Sequence, residues 1–395
     1  MSAYDSIERF AAEQGWVVKY AADGTPNFFY PIPKCKSSDL DASLPEHTHP
    51  AFIINGQEID RRLIAVYKGS LVGSAIASIP NAAVRHSEGA DGLLSKIKAA
   101  GTGFGPKTVA DSGLLLLLAK KMGWSTVKGN NNYGTDYRDA TKWAAGASIS
   151  LNDKRAYKGM LYEAQKAHTS AAENAPDIAP LIWKPIKRIG GVMSNSNHTL
   201  TGSGPVSWRF GGKANGIDDL TGNVYDQDYG YRIYDNEIQI LENNNAADPS
   251  ADLGASSAAW KAILPSPTDG TYTLVAPGTA GTLKWNWANS KITLDTVAAP
   301  TDQSIGQKST AFASLAVNST NVPHIPYIMF ELGLFPISGD TTQGTVYHNF
   351  DGGERFPRRG GSYNDTSNAG LAFVDSYNGR GYANVPYGVR SGFVE

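Results

Sequence analysis

Short apolar runs, each ended within a few residues by Gly, Asn, Asp or Pro, set the limits on what this chain can form. Between about residues 200 and 346 the runs YRIY and EIQIL flank Asp235-Asn236, and GTYTLVAPG and GTLKWNWANSKITL follow. Earlier, AFIINGQEIDRRLIAVYKG carries two apolar runs around Asn55-Gly56, the strongest short-range hairpin signal. Hydrophobic residues make up 41% and charged residues 18%, so the remainder, rich in Gly, Asn, Ser and Thr, suits turns and long ordered loops rather than long helices. Two segments read as main helices: 107–123, with Gly123 as its C-terminal stop, and about Asp153 to His168, with Asp153 as N-cap and Tyr157, Leu161 and Ala164 along one stripe. The fold class that follows is α+β.

Residues 1–45 open with a short amphipathic helix, in which Ile7, Phe10 and Ala11 share a face, and pass into the proline-punctuated FFYPIPK. They are expected to form an attachment or oligomerisation segment. Residues 46–395 then make one domain, since no repeat and no linker divides them. Asn243 to Ser257 reads as a loop. The first residues hold no apolar core of a secretory signal, and the longest aliphatic run, Leu114 to Ala119, is far below the roughly 20 residues of a membrane span. Synthesis in the host cytoplasm without membrane insertion is therefore expected. With 35 Lys and Arg against 37 Asp and Glu, the net charge of -2 favours no nucleic-acid partner.

Linear motifs for chemistry are sparse. GTGFGPKT (101–108) is spaced like a phosphate loop, but Pro106 has no N–H to offer a phosphate, and a turn into the following helix is the better reading. His47 and His49 supply two metal ligands at most, with no nearby cluster of Asp, Glu or Cys to complete a site. Cys35, the only cysteine, excludes disulfides within the chain and reads as a structural thiol. No G-x-S-x-G elbow is present. Asp218, Asp219 and Asp228 lie close in sequence and read as turn residues, with a structural calcium as the alternative; no metal or other cofactor is otherwise expected.

The tail is the informative region. From 360 to 395, 19 of 36 positions are Gly, Ser, Tyr or Asn, and none is Lys. Tyr gives a large rigid contact at low entropic cost while Ser, Gly and Asn adapt their hydrogen bonds, the chemistry of antibody paratopes. The strands GLAFV (370–374) and GVRSGFV (388–394) frame the polar, aromatic residues between Asp375 and Tyr387.

Several phrases carry a family resemblance. GIDDLTGNVYDQ (216–227) resembles the G-[IL]-x-D-L-x-G-N-V-W-E-W signature of the formylglycine-generating-enzyme branch of the C-type lectin fold. ERFPRRGGSYNDTSNAGLAFV and YGVRSGFV resemble its closing strands. With HPAFIINGQEIDRRLIAVYKG, GNNNYG and LTGSGPVSWRFGG, they are similar in kind and order to phage and prophage proteins targeted by diversity-generating retroelements. Tyr225 and Asp226 stand where the signature has Trp-Glu, and Tyr363 where the closing strands have Trp.

The resemblance implies a C-type-lectin-like domain with a hairpin-rich insertion at about 229–345 and a C-terminal variable region at about 349–395. In those retroelements an error-prone copy, mutated at adenines, replaces the 3′ end of the gene. The implied variable, solvent-facing positions are Ser362, Tyr363, Asn364, Asp365, Asp375, Tyr377, Asn378, Gly381, Tyr382, Pro386 and Tyr387. The implied scaffold is Gly222, Asn223, Gly360, Gly361, Gly370, Gly388 and Arg390, where small residues allow close strand approach. The family's enzymes use cysteines, so Cys35, outside the lectin-like region, implies a non-enzymatic protein. The implied function is a tail-tip receptor-binding protein whose partners are a bacterial surface protein or glycan, other virion proteins and further copies of itself. The alternative is a structural virion or surface protein whose lectin-like domain is a spacer.

Overall fold

The computed structural model describes residues 3–395, so Met1 and Ser2 of the N-terminal segment lie outside the described residues. The architecture is α+β and mostly sheet. No helix among the described residues is long and apolar enough to cross a membrane.

The two ends of the chain share one antiparallel sheet, in the order Val17–Tyr20, Pro26–Pro33, Arg61–Ala65, Ser391–Phe393, Phe104–Pro106. The helix expected at the N-terminus spans Ala3–Glu13, and Ala11 packs with Trp16, Phe28 and Tyr67 while Phe10 stays half exposed. The boundary expected at 45/46 is crossed by this sheet: Phe29 pairs with Ala65 and is fully buried. Residues 17–33 thus belong to the main body, because the consecutive Phe28 and Phe29 are both buried, each in a different core cluster.

A second, six-stranded sheet positions the tail. Its order is Gln307–Ala311, Thr345–Asn349, Gly370–Ser376, Arg358–Gly360, Tyr225–Gln227, Tyr387–Gly388. The hairpin-rich half builds a third sheet from strands between Tyr231 and Val317, joined by Glu354–Arg355. Its Tyr231–Tyr234 and Glu237–Ile240 strands turn at Asp235 and Asn236, both at positive φ, as do the Ile53–Ile54 and Gln57–Glu58 strands at Asn55 and Gly56.

The helix expected at 107–123 spans Val109–Lys121. Thr108 caps it by accepting from the Asp111 N–H while the Asp111 carboxylate accepts from the Thr108 N–H. Leu114 to Leu117 are all buried, so this helix runs through the core instead of lying on it. The second expected helix, Asp153 to His168, is absent. In its place the strands Lys154–Tyr157 and Met160–Ala164 form a hairpin, extended by Trp183–Arg188, with a small core of Trp143, Ile149, Tyr162, Ala164 and Trp183. Lys158 and Gly159 both take positive φ, forming the two-residue turn between paired Tyr157 and Met160 and preventing a helix from propagating. Asp153 accepts from the Ser150 N–H, so it closes a turn rather than capping a helix.

Gly113 lies where the core helix crosses Tyr327–Glu331. A Cβ there would sit 1.9 Å from the Glu331 carbonyl oxygen and 2.6 Å from Leu332 backbone. Helix propensity alone favours Gly113→Ala by roughly 1 kcal/mol. We expect the reverse, a loss of about 2 kcal/mol or more from overpacking against backbone, read by urea denaturation.

Candidate functional site

The site grows from the strand Tyr225–Gln227, which lies between Arg358–Gly360 and Tyr387–Gly388. Asp226 is buried between Lys68 Nζ and Arg390 Nε, each 3.0 Å from a carboxylate oxygen. Burial by itself raises its carboxyl, but Arg390 and Lys68 overcome this and hold it well below the usual carboxylate range. Arg390 is fully buried, which excludes a merely solvated role. It also donates to the carbonyls of Ala65, Val66, Asp218 and Asp219 at 2.8–3.2 Å. Two residues on, Asp228 accepts from Arg359 Nε at 2.8 Å and faces Lys107 at 3.5 Å.

The scaffold residues do close-packing work. Asn223 donates to Asp219 and the Thr199 carbonyl and accepts from the Thr199 N–H and Asn130. Gly360 and Gly361 take φ of +88° and +82°, and a Cβ on Gly360 would meet the Leu220 carbonyl oxygen at 2.5 Å. Gly222, Gly370 and Gly388 are buried in similarly close approaches.

Of the residues read as variable, the structure exposes or half-exposes Tyr363, Asn364, Asp365, Tyr377, Asn378, Gly381, Tyr382 and Pro386. They fall on two loops, 361–369 and 377–386. Ser362, Asp375 and Tyr387 do not face solvent and correct the expectation. The Ser362 N–H and Oγ donate to Asp365 at 2.7 and 2.9 Å, so its side chain folds back onto its own loop. The strand Gly370–Ser376 is central and buried on both faces, which places Asp375 inside, in register with Arg358. Burial raises its carboxyl, and Arg358 opposes the rise. Tyr387 packs under the Arg358 guanidinium, 3.9 Å from ring centre to Cζ, and accepts from Asn378 Nδ2 at 2.9 Å.

Beneath the loops lies an aromatic floor that sequence reading missed. Tyr225 stacks on Phe373 at 5.4 Å, Phe373 meets Tyr347 at 5.5 Å, and Tyr347 meets Tyr377 at 5.2 Å. Tyr225 also touches Tyr387, while burial, and next the nearby Asp365 carboxylate of the first loop, push its phenol up. The two loops therefore meet across one ring. Arg380 anchors the second loop by donating a pair of hydrogen bonds to the Glu354 carboxylate at 2.7 and 2.9 Å and one to Asp91. It is the one charged residue between 376 and 389, the signal that could have marked it. On the first loop, Tyr363 lies edge-on to Tyr133 at 5.3 Å and His198 at 5.1 Å, contacts no local pattern could disclose.

Asp218, Asp219 and Asp228 do not converge: the first accepts from the Gly202 N–H, the second from Asn223, and the third pairs with Arg359. His47 and His49 both reach Glu331, at its carboxylate (2.6 Å) and its carbonyl (3.1 Å) respectively. Among the described residues no group of three or more His, Cys, Asp and Glu could hold a metal ion. The half-buried Cys35 thiol is pushed up to about 11 by burial, as fits a structural cysteine.

Two expectations test this geometry. Arg390→Lys keeps the charge but lacks the planar fork that serves five acceptors, and should cost about 3 kcal/mol in urea unfolding. His348, fully buried between Ser376 and Asn236, is lowered to about 3 by burial, with Arg355 adding to the shift. It is neutral when folded and protonates near 6.5 when unfolded, so its stabilisation is complete above that value and is lost as pH falls from about 6.5 toward 3. The thermal midpoint should drop over this range, and His348→Gln, less stable at neutral pH, should show a shallower drop between pH 6.5 and 4. No protein-family model matches the chain, and no curated protein matches it either.

Proposed function

We propose that this chain is a non-enzymatic binding protein that presents the loops 361–369 and 377–386 to a ligand. The observation that carries the reading is the contrast between these loops and their supports. Tyr, Asn and Gly side chains stand at the surface, while the residues just before, between and after them are buried and held by Arg358, Arg359, Arg380 and Arg390. Such a frame lets surface residues change without moving the sheet, since exposed substitutions usually cost within about 0.5 kcal/mol.

The finer reading is a C-type-lectin-like domain of the retroelement-diversified kind, acting as a receptor-binding protein at a phage or prophage tail tip. In its support, the phrases GIDDLTGNVYDQ, ERFPRRGGSYND and YGVRSGFV occupy three neighbouring strands of one sheet. Attachment to the particle would fall to the helix Ala3–Glu13, whose Tyr4 and Phe10 touch Tyr20, Trp16 and Phe28 yet remain 50% and 48% exposed. A weak single site of this type gains strength through many copies.

Sequencing the 3′ end of this gene across a natural population tests the reading position by position. Changes should concentrate at Tyr363, Asn364, Tyr377, Asn378, Gly381, Tyr382 and Pro386, while Gly361, Gly370, Arg380 and Arg390 stay fixed. Ser362, Asp375 and Tyr387, being buried, should vary within a narrower set. An even spread of changes along the chain would sink the proposal.

A further inference from the structure

Beside the loop that carries Tyr363 is a cavity of about 370 Å³, lined by Tyr133, Lys142, Trp143, Tyr157, Lys158 and Met193 among others. Its volume lies within the roughly 300–1,000 Å³ typical of small-molecule sites. Most of the lining comes from the small lobe whose hairpin replaces the expected helix. The loops discussed above contribute no wall, although Tyr363 touches Tyr133.

Four features give the cavity a chemistry. Tyr133, Trp143 and Tyr157 supply ring surface, with Trp143 and Tyr157 in an edge-to-face pair at 5.1 Å. The Lys142 ammonium stands 3.3 Å from the Tyr133 ring centre and makes no ion pair or hydrogen bond among the described residues, whereas Lys158 is neutralised by Asp177 at 2.7 Å. The Trp143 indole N–H is buried and finds no acceptor in the protein, with the residue only 9% exposed. Burying a donor without a partner costs free energy, and because this N–H has no accessible surface as it stands, a ligand acceptor recovers that cost only if the indole shifts toward the cavity. Finally, residues 141–192 carry eight Lys or Arg and four Asp or Glu in a chain of net charge -2. Lys184 and Lys187 of the lobe's outer strand are exposed, also without carboxylate partners among the described residues.

We propose that this cavity binds an acidic sugar, a pyranose bearing a carboxylate, as part of an anionic glycan. The apolar C–H face of the ring stacks on the tyrosines and Trp143, the carboxylate takes the unpaired ammonium of Lys142, and, with a shift of the indole, a hydroxyl or ring oxygen accepts from the Trp143 N–H. The carboxylate separates this ligand from a neutral sugar, because a neutral ring leaves Lys142 without its partner. The site goes beyond the surface proposed above and does not depend on it.

Calorimetric titration of the full chain with a galacturonic-acid trisaccharide, and with the matched galactose trisaccharide, tests the assignment. The acidic sugar should bind saturably and about tenfold or more tighter than the neutral one, a difference that added salt narrows. Lys142→Met should remove most of that preference with an unchanged thermal midpoint, since Lys142 is at the surface, while Lys291→Met, an exposed lysine elsewhere, should not alter it. Trp143→Phe, which keeps a ring and deletes the N–H, should weaken both sugars. The proposal is overturned by equal binding of the two sugars, by no saturable binding of the acidic one, by full preference retained in Lys142→Met, or by tighter binding of an oligothymidylate of equal charge.

Discussion

Asp226 is a carboxylate that the interior could not hold alone. Isolating such a charge from water costs several kcal/mol, so its cations must be delivered with it. Lys68 comes from the segment after Arg61–Ala65 and Arg390 from the segment before the last strand, and both reach it at 3.0 Å. Arg390 then satisfies four carbonyls, two beside the Arg61–Ala65 strand and two in the GIDDLTGN turn, and so ties the terminal sheet to the six-stranded one. Two residues along, Asp228 holds Arg359 in the same manner. Both ends of the tail, 359 and 390, therefore hang from one short stretch of chain. The 30 residues between them can form loops without any freedom to drift in register.

This pinning explains the layering of the site. Immediately inside the pinned ends are the aromatic floor and the buried side chains of Ser362, Asp375 and Tyr387, and outside them stand the exposed residues of the two loops. A substitution in the floor disturbs Tyr225, which both loops share, whereas one at Asn364 or Tyr382 meets mostly water. Arg380 matters for the same reason as Arg390. Its paired hydrogen bonds to Glu354 fix the middle of the longer loop, the part that strand pairing cannot reach.

What could be read beforehand was what local chemistry determines. Asn55-Gly56 and Asp235-Asn236 take positive φ readily, so their hairpins were legible, and Gly123 marked the end of the core helix. Lys158-Gly159 escaped because lysine rarely adopts that conformation, while Tyr157, Leu161 and Ala164 have helical spacing by coincidence. The tail's composition indicated a contact surface but not which side chains face it. Alternation fails in a central strand buried on both faces, so Asp375 was placed outside when it lies inside. Partners far apart in sequence were beyond reach altogether: 164 residues separate Arg390 from Asp226, and Tyr363 is remote from Tyr133 and His198.

The lobe and the loops differ in charge as well as in origin, and the difference bears on how a ligand would arrive. With the lobe cationic in a chain of net charge -2, the excess of acid lies elsewhere, so an anionic glycan approaching the protein is drawn to the lobe before it meets the tail loops. Charge of this kind raises the encounter rate without demanding a particular fit, and it fades beyond about 10 Å at 0.1 M salt. Beyond the carboxylate preference proposed for Lys142, the reading proposed above would leave discrimination among ligands to shape and hydrogen bonding by the tyrosines and asparagines of the loops. Tyr363 is the one residue of the exposed set that touches both regions through Tyr133. On the two proposals together, a change at Tyr363 would alter how the loops and the cavity are coupled, whereas changes at Tyr382 or Asn364 would leave the lobe's attraction intact and vary only what is recognised afterwards.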